Sequence, residues 1–230
     1  MSRADLGKDP EEVSAMFDGV AKRYDILNDL LSLGRTKAWR KIATKIIAPK
    51  PGMKILDIAA GTGSSSRPLK DAGADVIPLD FSKGMLEAGK QRNPDLPFTQ
   101  GDALNLPFKE NEFDVTTISF GLRNTNNIEK ALSEALRVTK SGGRIVVVEF
   151  SHPTNKVFRT IYMKYLMRAL PKIARATSSN PAAYVYLAES IMAWPNQKDL
   201  AAILAKVGWS RVEWHNATFG ITAIHVGYKA

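Results

Sequence analysis

The hydrophobic pattern of residues 51–151 alternates between short apolar runs and amphipathic stretches. The apolar runs, which are typical of buried strands, cover residues 53–58, 75–79, 97–100, 113–119 and 143–150. The stretches between them predict helices over residues 64–72, 82–92 and 128–138. Strands that alternate with helices form a parallel sheet that is covered on both faces. The pattern therefore predicts an α/β, Rossmann-like fold.

The two ends of the chain depart from this alternation. Asp9 and Pro10 start a predicted helix, and a second helix runs from about residue 37 to 47 with Thr36 as its cap. Near the C-terminus, a helix over about 196–207 precedes strands that we expect to pair antiparallel, 209–215 and 222–228. We predict one domain over 1–230, divided into an N-terminal helical cap (1–50), a cofactor-binding core (51–151), a helical lid insertion (152–195) and a terminal helix with strands (196–230).

The turn after the first predicted strand is suited to a nucleotide-type ligand. Gly61 and Gly63 remove side-chain bulk there, so that a ligand can lie against the backbone. The dinucleotide fingerprint has a third glycine, and Ser66 stands in its place here. Asp57 at the strand end would repel a pyrophosphate but would suit a cation. Asp80, which closes the second strand, has roughly the spacing at which a carboxylate binds ribose hydroxyls.

These features predict S-adenosylmethionine as the cofactor, because this molecule carries an ammonium and a sulfonium but no phosphate. The alternative is a glycine turn that serves packing alone. Composition removes other chemistries: the chain has no cysteine and only three histidines, so thiol nucleophiles are excluded and no metal site is expected. No apolar run is long enough to span a bilayer, and the polar N-terminus is unlike a signal peptide.

The net charge of +9 is concentrated in residues 152–188, which hold six basic and no acidic residues. Lys164, Arg168, Lys172 and Arg175 lie near one helical face, and apolar side chains recur at helical spacing in the same segment. Such an amphipathic insertion predicts contact with anionic lipid. A solvated basic face over an ordinary lid helix is the alternative. Nucleic acid is not expected, because no motif that binds it lies beside this segment.

Further motifs raise the specificity of this interpretation. The chain resembles the ubiquinone/menaquinone biosynthesis C-methyltransferase family over nearly its whole length. One family signature begins at Tyr24 and ends at Trp39, and another runs from Arg137 to Ser151. Between them stand the glycine turn, Gly101-Asp102-Ala103, Leu106-Pro107-Phe108 and Ser119-Phe120-Gly121-Leu122-Arg123-Asn124. The chain departs from the family pattern at Leu27, Thr36, Thr139 and Ser141. Thr36 replaces a histidine, and these departures with the short chain favour the menaquinone-only branch.

The resemblance implies methyl transfer to a ring carbon of a prenylated demethylmenaquinol. Together with the basic amphipathic pattern, this substrate predicts that residues 152–189 contact the cytoplasmic face of an anionic membrane. The resemblance further implies that Arg123 stabilises the acceptor oxyanion. Asn124 and Tyr24 would orient the ring oxygens, unless they are only caps and connectors. The proton acceptor is left open between a carboxylate and a water.

The resemblance also assigns the cofactor contacts, which are Thr62, Asp80, Asp102, Ala103 and Ser119; the argument from residue chemistry adds Asp57 and Gly61. Two other classes of protein share these features. One is an O- or N-methyltransferase for a small soluble substrate, which would not need the basic insertion. The other is a non-catalytic membrane-binding scaffold, against which the intact pair of acids with Thr62 argues.

Overall fold

The structure, a computed structural model, describes residues 7–18, 34–169 and 181–230. Its helices are α1 (Pro10–Asp18), α2 (Thr36–Ile47), α3 (Ser66–Asp71), α4 (Lys83–Arg92), α5 (Ile128–Val138), α6 (Lys156–Lys164), α7 (Pro181–Met192) and α8 (Gln197–Val207). Its strands are β1 (Lys54–Ile58), β2 (Asp75–Asp80), β3 (Thr99–Gln100), β4 (Phe113–Ser119), β5 (Thr139–Phe150), β6 (Ser210–Ala217) and β7 (Thr222–Tyr228). Short 3₁₀ turns cover Leu122–Asn124 and Thr218–Gly220, and a π-helical turn, Tyr165–Ala169, follows α6.

The strands form one sheet in the order β3-β2-β1-β4-β5-β7-β6. The pairs from β3 to β5 are parallel, whereas β7 runs antiparallel to both β5 and β6. The predicted α/β fold with a terminal antiparallel pair is therefore confirmed. Because the strand order reverses between β1 and β4, their C-terminal ends border a crevice of the kind that binds ligands in doubly wound sheets.

Side chains of the central strands alternate between the two faces of the sheet and build a core on each. On β5, Val146 and Val148 pack in the cluster that contains Trp39 of α2. Ile145 and Val147 pack in the opposite cluster, with residues of α5 and α8. All four β5 side chains are fully buried. This two-sided burial explains why the sequence of the strand is a continuous apolar run rather than an alternating one.

Most predicted boundaries lie within two residues of the observed ones, and three differences have a physical cause. Thr36 does not cap α2 but lies inside it, since Arg35 occupies the cap position. The predicted strand 97–100 is shortened to β3, because Pro97 has no N–H to donate to a ladder. The predicted strand 143–150 starts earlier, at Thr139, because this residue pairs with Phe113; the register then shifts before the next pair, Val115 with Arg144.

The loops that follow β1 and β4 touch at Gly121, where an added Cβ would lie 2.4 Å from the Cβ of Ala59. We expect Gly121→Ala to lower the free energy of unfolding by about 1–3 kcal/mol, because this contact is already close-packed. Ala59 has a left-handed φ of 55°. Ala59→Gly removes both the opposing methyl group and this strain, so the double variant should regain most of the lost stability.

Denaturant unfolding of the wild type, both single variants and the double variant measures this coupling. A double variant as unstable as Gly121→Ala alone would show that the clash is not with Ala59.

Candidate functional site

A cleft lies beyond the C-terminal ends of β1, β2 and β4. Its empty volume is about 1180 Å³, its open mouth included. In the described ranges, no three His, Cys, Asp or Glu side chains lie together as the ligands of a metal ion would.

Most of the residues predicted to bind the cofactor line this cleft, namely Gly61, Thr62, Asp80, Asp102, Ala103 and Ser119. Asp80 also fixes the glycine turn: its Oδ2 accepts the Gly61 N–H at 2.8 Å, and its Oδ1 accepts the Ser82 N–H at 2.9 Å. Gly61 has a φ of 57°, and apart from its chain neighbours no atom of the described residues lies within 4 Å of the place where its Cβ would stand. The turn thus presents bare backbone to the cleft beside a carboxylate. This set of groups suits a cationic nucleoside with free hydroxyls.

Asp57 does not line the cleft, although the sequence predicted that it would meet the ligand. Its side chain is fully buried; its Oδ2 accepts the Ser66 hydroxyl at 2.6 Å, and its Oδ1 has no partner among the described residues. The pKa of Asp57 is raised to about 7, mainly by burial and also by the charge of Asp80, while the Ser66 hydrogen bond and Arg40 act in the opposite direction. Asp57 therefore lies below the glycine turn, and any effect on a ligand passes through that turn or through long-range charge.

Arg123 does not line the cleft either. It is 3% exposed, and its Nη1 donates to the Oε1 of Glu149 at 2.8 Å and to the carbonyl of Phe120. The guanidinium also lies 5.2 Å from the ring centroid of Phe150. A buried carboxylate thus balances the charge of Arg123 behind the cleft wall. Its direct contact with an acceptor oxygen stays a prediction.

The structure describes only one of the other two residues that were predicted to contact the methyl acceptor. Asn124 lines the cleft, and its Oδ1 accepts the hydroxyl of Tyr186 in α7 at 3.3 Å. Tyr24 lies outside the described residues, as does most of the signature that begins with it. Phe120 and Phe150, which were not singled out, form an aromatic part of the wall with ring centroids 5.1 Å apart. Trp39 packs behind both rings, at 5.9 and 6.0 Å.

The N-terminal segment supplies cleft residues that sequence reasoning missed: Lys8, Val13, Ser14 and Arg40. No motif marks them, because their position depends on α1 packing Val13 and Met16 against Tyr186. Thr36, noted only as a departure from the family, also lines the cleft. By contrast, no described residue of 152–195 lines it. Within the described residues, the cleft is therefore covered by the N-terminal segment, and the insertion touches its wall through Tyr186.

Solved structures with this fold are methyltransferases. An S-adenosylmethionine-dependent methyltransferase of Thermotoga maritima is 20% identical, with a TM-score of 0.69 over 94% of this chain and 99% of that one. A phosphoethanolamine N-methyltransferase of Haemonchus contortus, in complex with S-adenosylmethionine, is 16% identical, with a TM-score of 0.64 over 85% of this chain and 53% of that one. The chain therefore has the fold of the class I S-adenosylmethionine-dependent methyltransferases.

The sequence comparisons are more specific than the fold. The model of the ubiE/COQ5 methyltransferase family matches residues 5–229, and the chain belongs to this family. The demethylmenaquinone methyltransferase of Streptomyces avermitilis is 60% identical over 230 residues, which are 100% of both chains. That of Mycobacterium tuberculosis is 55% identical over 229 residues, 100% of this chain and 97% of the relative. The resemblance found in the motifs is thereby confirmed.

The raised pKa of Asp57 predicts how stability depends on pH. An unfolded aspartate releases its proton near pH 4, whereas folded Asp57 keeps it up to about pH 7. Folding therefore takes up a proton in this window, and the contribution of Asp57 to stability falls as the pH rises through it. Asp57→Asn carries no charge there, so its stability relative to the wild type should increase from pH 5 to pH 8, by about 2–3 kcal/mol.

Urea unfolding of both proteins at these two pH values gives the comparison. The same difference in stability at both would show that Asp57 does not titrate in this window.

Proposed function

We propose that this methyltransferase transfers a methyl group to a ring carbon of a prenylated demethylmenaquinol. The observation that carries the proposal is full-length identity of 55–60% to relatives named for demethylmenaquinone. The cleft supports it, since one side offers acids and bare backbone and the other offers aromatic rings. A planar, hydroxylated ring can lie against Phe120 and Phe150, which line the second side.

On the cofactor side, each residue has a task that its position allows. Asp80 would accept the ribose hydroxyls while it holds the glycine turn. Asp102 and Ala103 would border the adenine, and Thr62 and Ser119 would border the methionine part. When bound, S-adenosylmethionine supplies a methyl group attached to a positively charged sulfur. The fixed turn contributes to the rate by holding that methyl group in line with the acceptor carbon.

On the acceptor side, the ring carbon becomes nucleophilic when the neighbouring hydroxyl gives up its proton. An aromatic hydroxyl has a pKa of about 10, so the site must favour the anion. Asn124 can orient a ring oxygen, because Tyr186 holds its side-chain carbonyl and leaves the amide N–H₂ to donate. Arg123 adds positive charge behind the wall, which Glu149 partly offsets.

A direct assay tests this function. We expect the purified protein, with S-adenosylmethionine and a chemically reduced demethylmenaquinone of short prenyl tail, to form the ring C-methylated product. Mass spectrometry and NMR identify the methylated atom. Asp80→Ala should weaken cofactor binding by roughly 1.5–3 kcal/mol through loss of charge-assisted hydrogen bonds. It is therefore the variant to compare with the wild type in this assay.

An O-methyl ether as the product would instead support the alternative of an O-methyltransferase. No product from any reduced naphthoquinone, together with methylation of a small soluble amine, would support an N-methyltransferase.

We further propose that the enzyme reaches its substrate at an anionic membrane surface. Support comes from an exposed apolar surface made of Val157 and Ile161 on α6 and Phe219 in the β6–β7 turn, which are 70%, 60% and 74% exposed. Phe158 of α6 packs edge-on to Phe219 at 5.6 Å between ring centroids, so helix and turn form one surface. None of the helices in the described ranges is long and apolar enough to cross a membrane.

Three features favour lipid over another partner for this surface. Exposed Lys156, Arg159 and Lys164 lie on the same helix and suit anionic headgroups. Phe219 is presented by a turn with a left-handed φ of 57°, a conformation that costs free energy and is found at functional sites. The neighbouring Thr218 accepts the indole N–H of Trp39 at 2.8 Å, and Trp39 backs the aromatic wall of the cleft. An apolar tail held in lipid would thus lie close to the acceptor side.

We expect the triple change Val157→Ser, Ile161→Ser and Phe219→Ser to reduce binding to vesicles of anionic phospholipid at least about tenfold, because each buried apolar side chain contributes 1.5–3 kcal/mol. Activity on a long-tailed substrate in vesicles should fall in parallel, whereas activity on a short-tailed substrate in solution should persist. Trp214→Ser, which removes an exposed aromatic residue of β6, is the control.

Vesicle sedimentation at low and high salt measures the binding. Unchanged binding by the triple variant would place the membrane contact elsewhere, and equal losses on both substrates would mean a structural role.

A further inference from the structure

We propose that Lys8 is a catalytic residue of this site: its side-chain amine receives the proton of the acceptor hydroxyl beside the carbon that is methylated. The inference rests on the proposed function, for which the sequence left the proton acceptor open. Lys8 lines the cleft together with Asn124 and Phe150, on the acceptor side. It is the residue immediately before Asp9, whose carboxylate caps α1.

The backbone at Lys8 supports a specific placement of this side chain. Lys8 has a left-handed φ of 55°, which is uncommon outside glycine and costs free energy. The turn directs the chain into α1, whose Val13 and Met16 are buried against Tyr186 of α7. Lys8 is therefore anchored by a packed helix, although it lies near the end of the chain.

The side chain of Lys8 is half-buried and has no hydrogen bond or ion pair with any residue that the structure describes. Lysine ammonium groups in such positions normally pair with a carboxylate, because an unpaired buried charge is costly. Glu149, the buried carboxylate whose charge acts on Lys8, is already paired with Arg123 at 2.8 Å. The amine of Lys8 is thus left available to a ligand in the cleft.

The charges around Lys8 favour its neutral, proton-accepting form. Burial lowers the pKa of Lys8, the charge of Arg123 lowers it further, and Glu149 opposes both. The cofactor would add a positive sulfonium to the same cleft. Among the described residues, the other charged groups that line this cleft are Arg40, Asp80 and Asp102, and those in α1 or directly before it are Asp9, Glu11, Glu12 and Asp18. Arg123 itself cannot serve as the base, since a guanidinium does not give up its proton in proteins.

The proposed step balances as follows. The amine of Lys8 takes the hydroxyl proton and becomes an ammonium, which stays hydrogen-bonded to the ring oxyanion. The ring carbon forms its bond to the methyl group as the bond from methyl to sulfur breaks, and that electron pair remains on sulfur. The hydrogen of the methylated carbon then leaves as a proton to solvent, and Lys8 returns its own proton to the oxygen. One proton is released overall.

Steady-state kinetics of Lys8→Met, with Lys41→Met as an exposed lysine control on α2, test the role. We expect kcat of Lys8→Met on the short-tailed demethylmenaquinol to fall about 100-fold at pH 7.5, as is usual when a general base is lost. The Kd for S-adenosylmethionine, from calorimetry, should stay within about twofold. Raising the pH towards 10 should restore part of the kcat of Lys8→Met, because the acceptor hydroxyl then ionises without a general base.

Lys8→Arg keeps the positive charge but cannot accept a proton, so it distinguishes a general base from a residue that acts through its charge. We expect its kcat to be as low as that of Lys8→Met. A further readout without turnover is the absorbance of 4-methoxy-1-naphthol bound to the protein. Its ionised fraction at pH 8 should be larger with wild-type protein than with Lys8→Met.

Full activity of Lys8→Arg would overturn the role as base, and weakened cofactor binding with kcat retained would assign Lys8 to the cofactor instead. Activity of Lys8→Met equal to that of the control would remove Lys8 from the site. If the wild type itself forms no product, the proposed function fails first, and the naphthol absorbance still reports on Lys8 alone.

Discussion

A buried ion pair connects the two strands that form the acceptor side of this molecule. Glu149, at the end of β5, binds the guanidinium of Arg123 and also accepts the backbone N–H of Arg123 at 3.3 Å and that of Phe150 at 2.9 Å. It therefore holds the 3₁₀ turn after β4 in place, and with it the backbone that presents Phe120 and Asn124 to the cleft. Leaving either charge without its partner would cost about 3–5 kcal/mol, so the geometry of this wall depends on both residues.

Acidic and basic side chains lie at different sides of the cleft. Asp80 and Asp102 border the side that the nucleoside would occupy, whereas Lys8 and Arg123 lie at or behind the side that the acceptor would occupy. Such an arrangement favours a cation in one half and a developing anion in the other, in surroundings where charge interactions are stronger than in water. The electrostatic pattern thus matches methyl transfer from a positively charged donor to a ring carbon that a neighbouring oxyanion activates.

The C-terminal part of the chain connects this chemistry with the surface. The antiparallel pair β6–β7 does not border the crevice between β1 and β4, yet its turn places Thr218 against Trp39 and exposes Phe219 beside α6. Packed apolar and aromatic side chains therefore connect the exposed surface with the cleft wall. The same turn is anchored from within by Gln197, whose side-chain amide donates to the carbonyl of His152 at 2.9 Å and to Asn216 Oδ1 at 3.1 Å.

The local pattern of the sequence determined much of the fold and half of the site. Continuous apolar runs such as Ile145 to Val148 predict strands because both faces of those strands are buried, and Asp9 and Ser82 mark helix starts because their oxygens satisfy N–H groups a few residues away. The cofactor side was predictable for a similar reason. Gly61 and Asp80 follow strands whose ends meet at one edge of a parallel sheet, so sequence position implies spatial position.

Only the tertiary structure decided the rest. It placed Asp57 beneath the turn rather than in the cleft, because the hydroxyl of Ser66 holds it there. It paired Arg123 with Glu149 and brought Lys8 to the acceptor side, through contacts between residues that lie far apart in the chain. Periodicity and caps report only on neighbours within a few residues, whereas ion pairs, burial and cleft lining depend on which distant elements pack together.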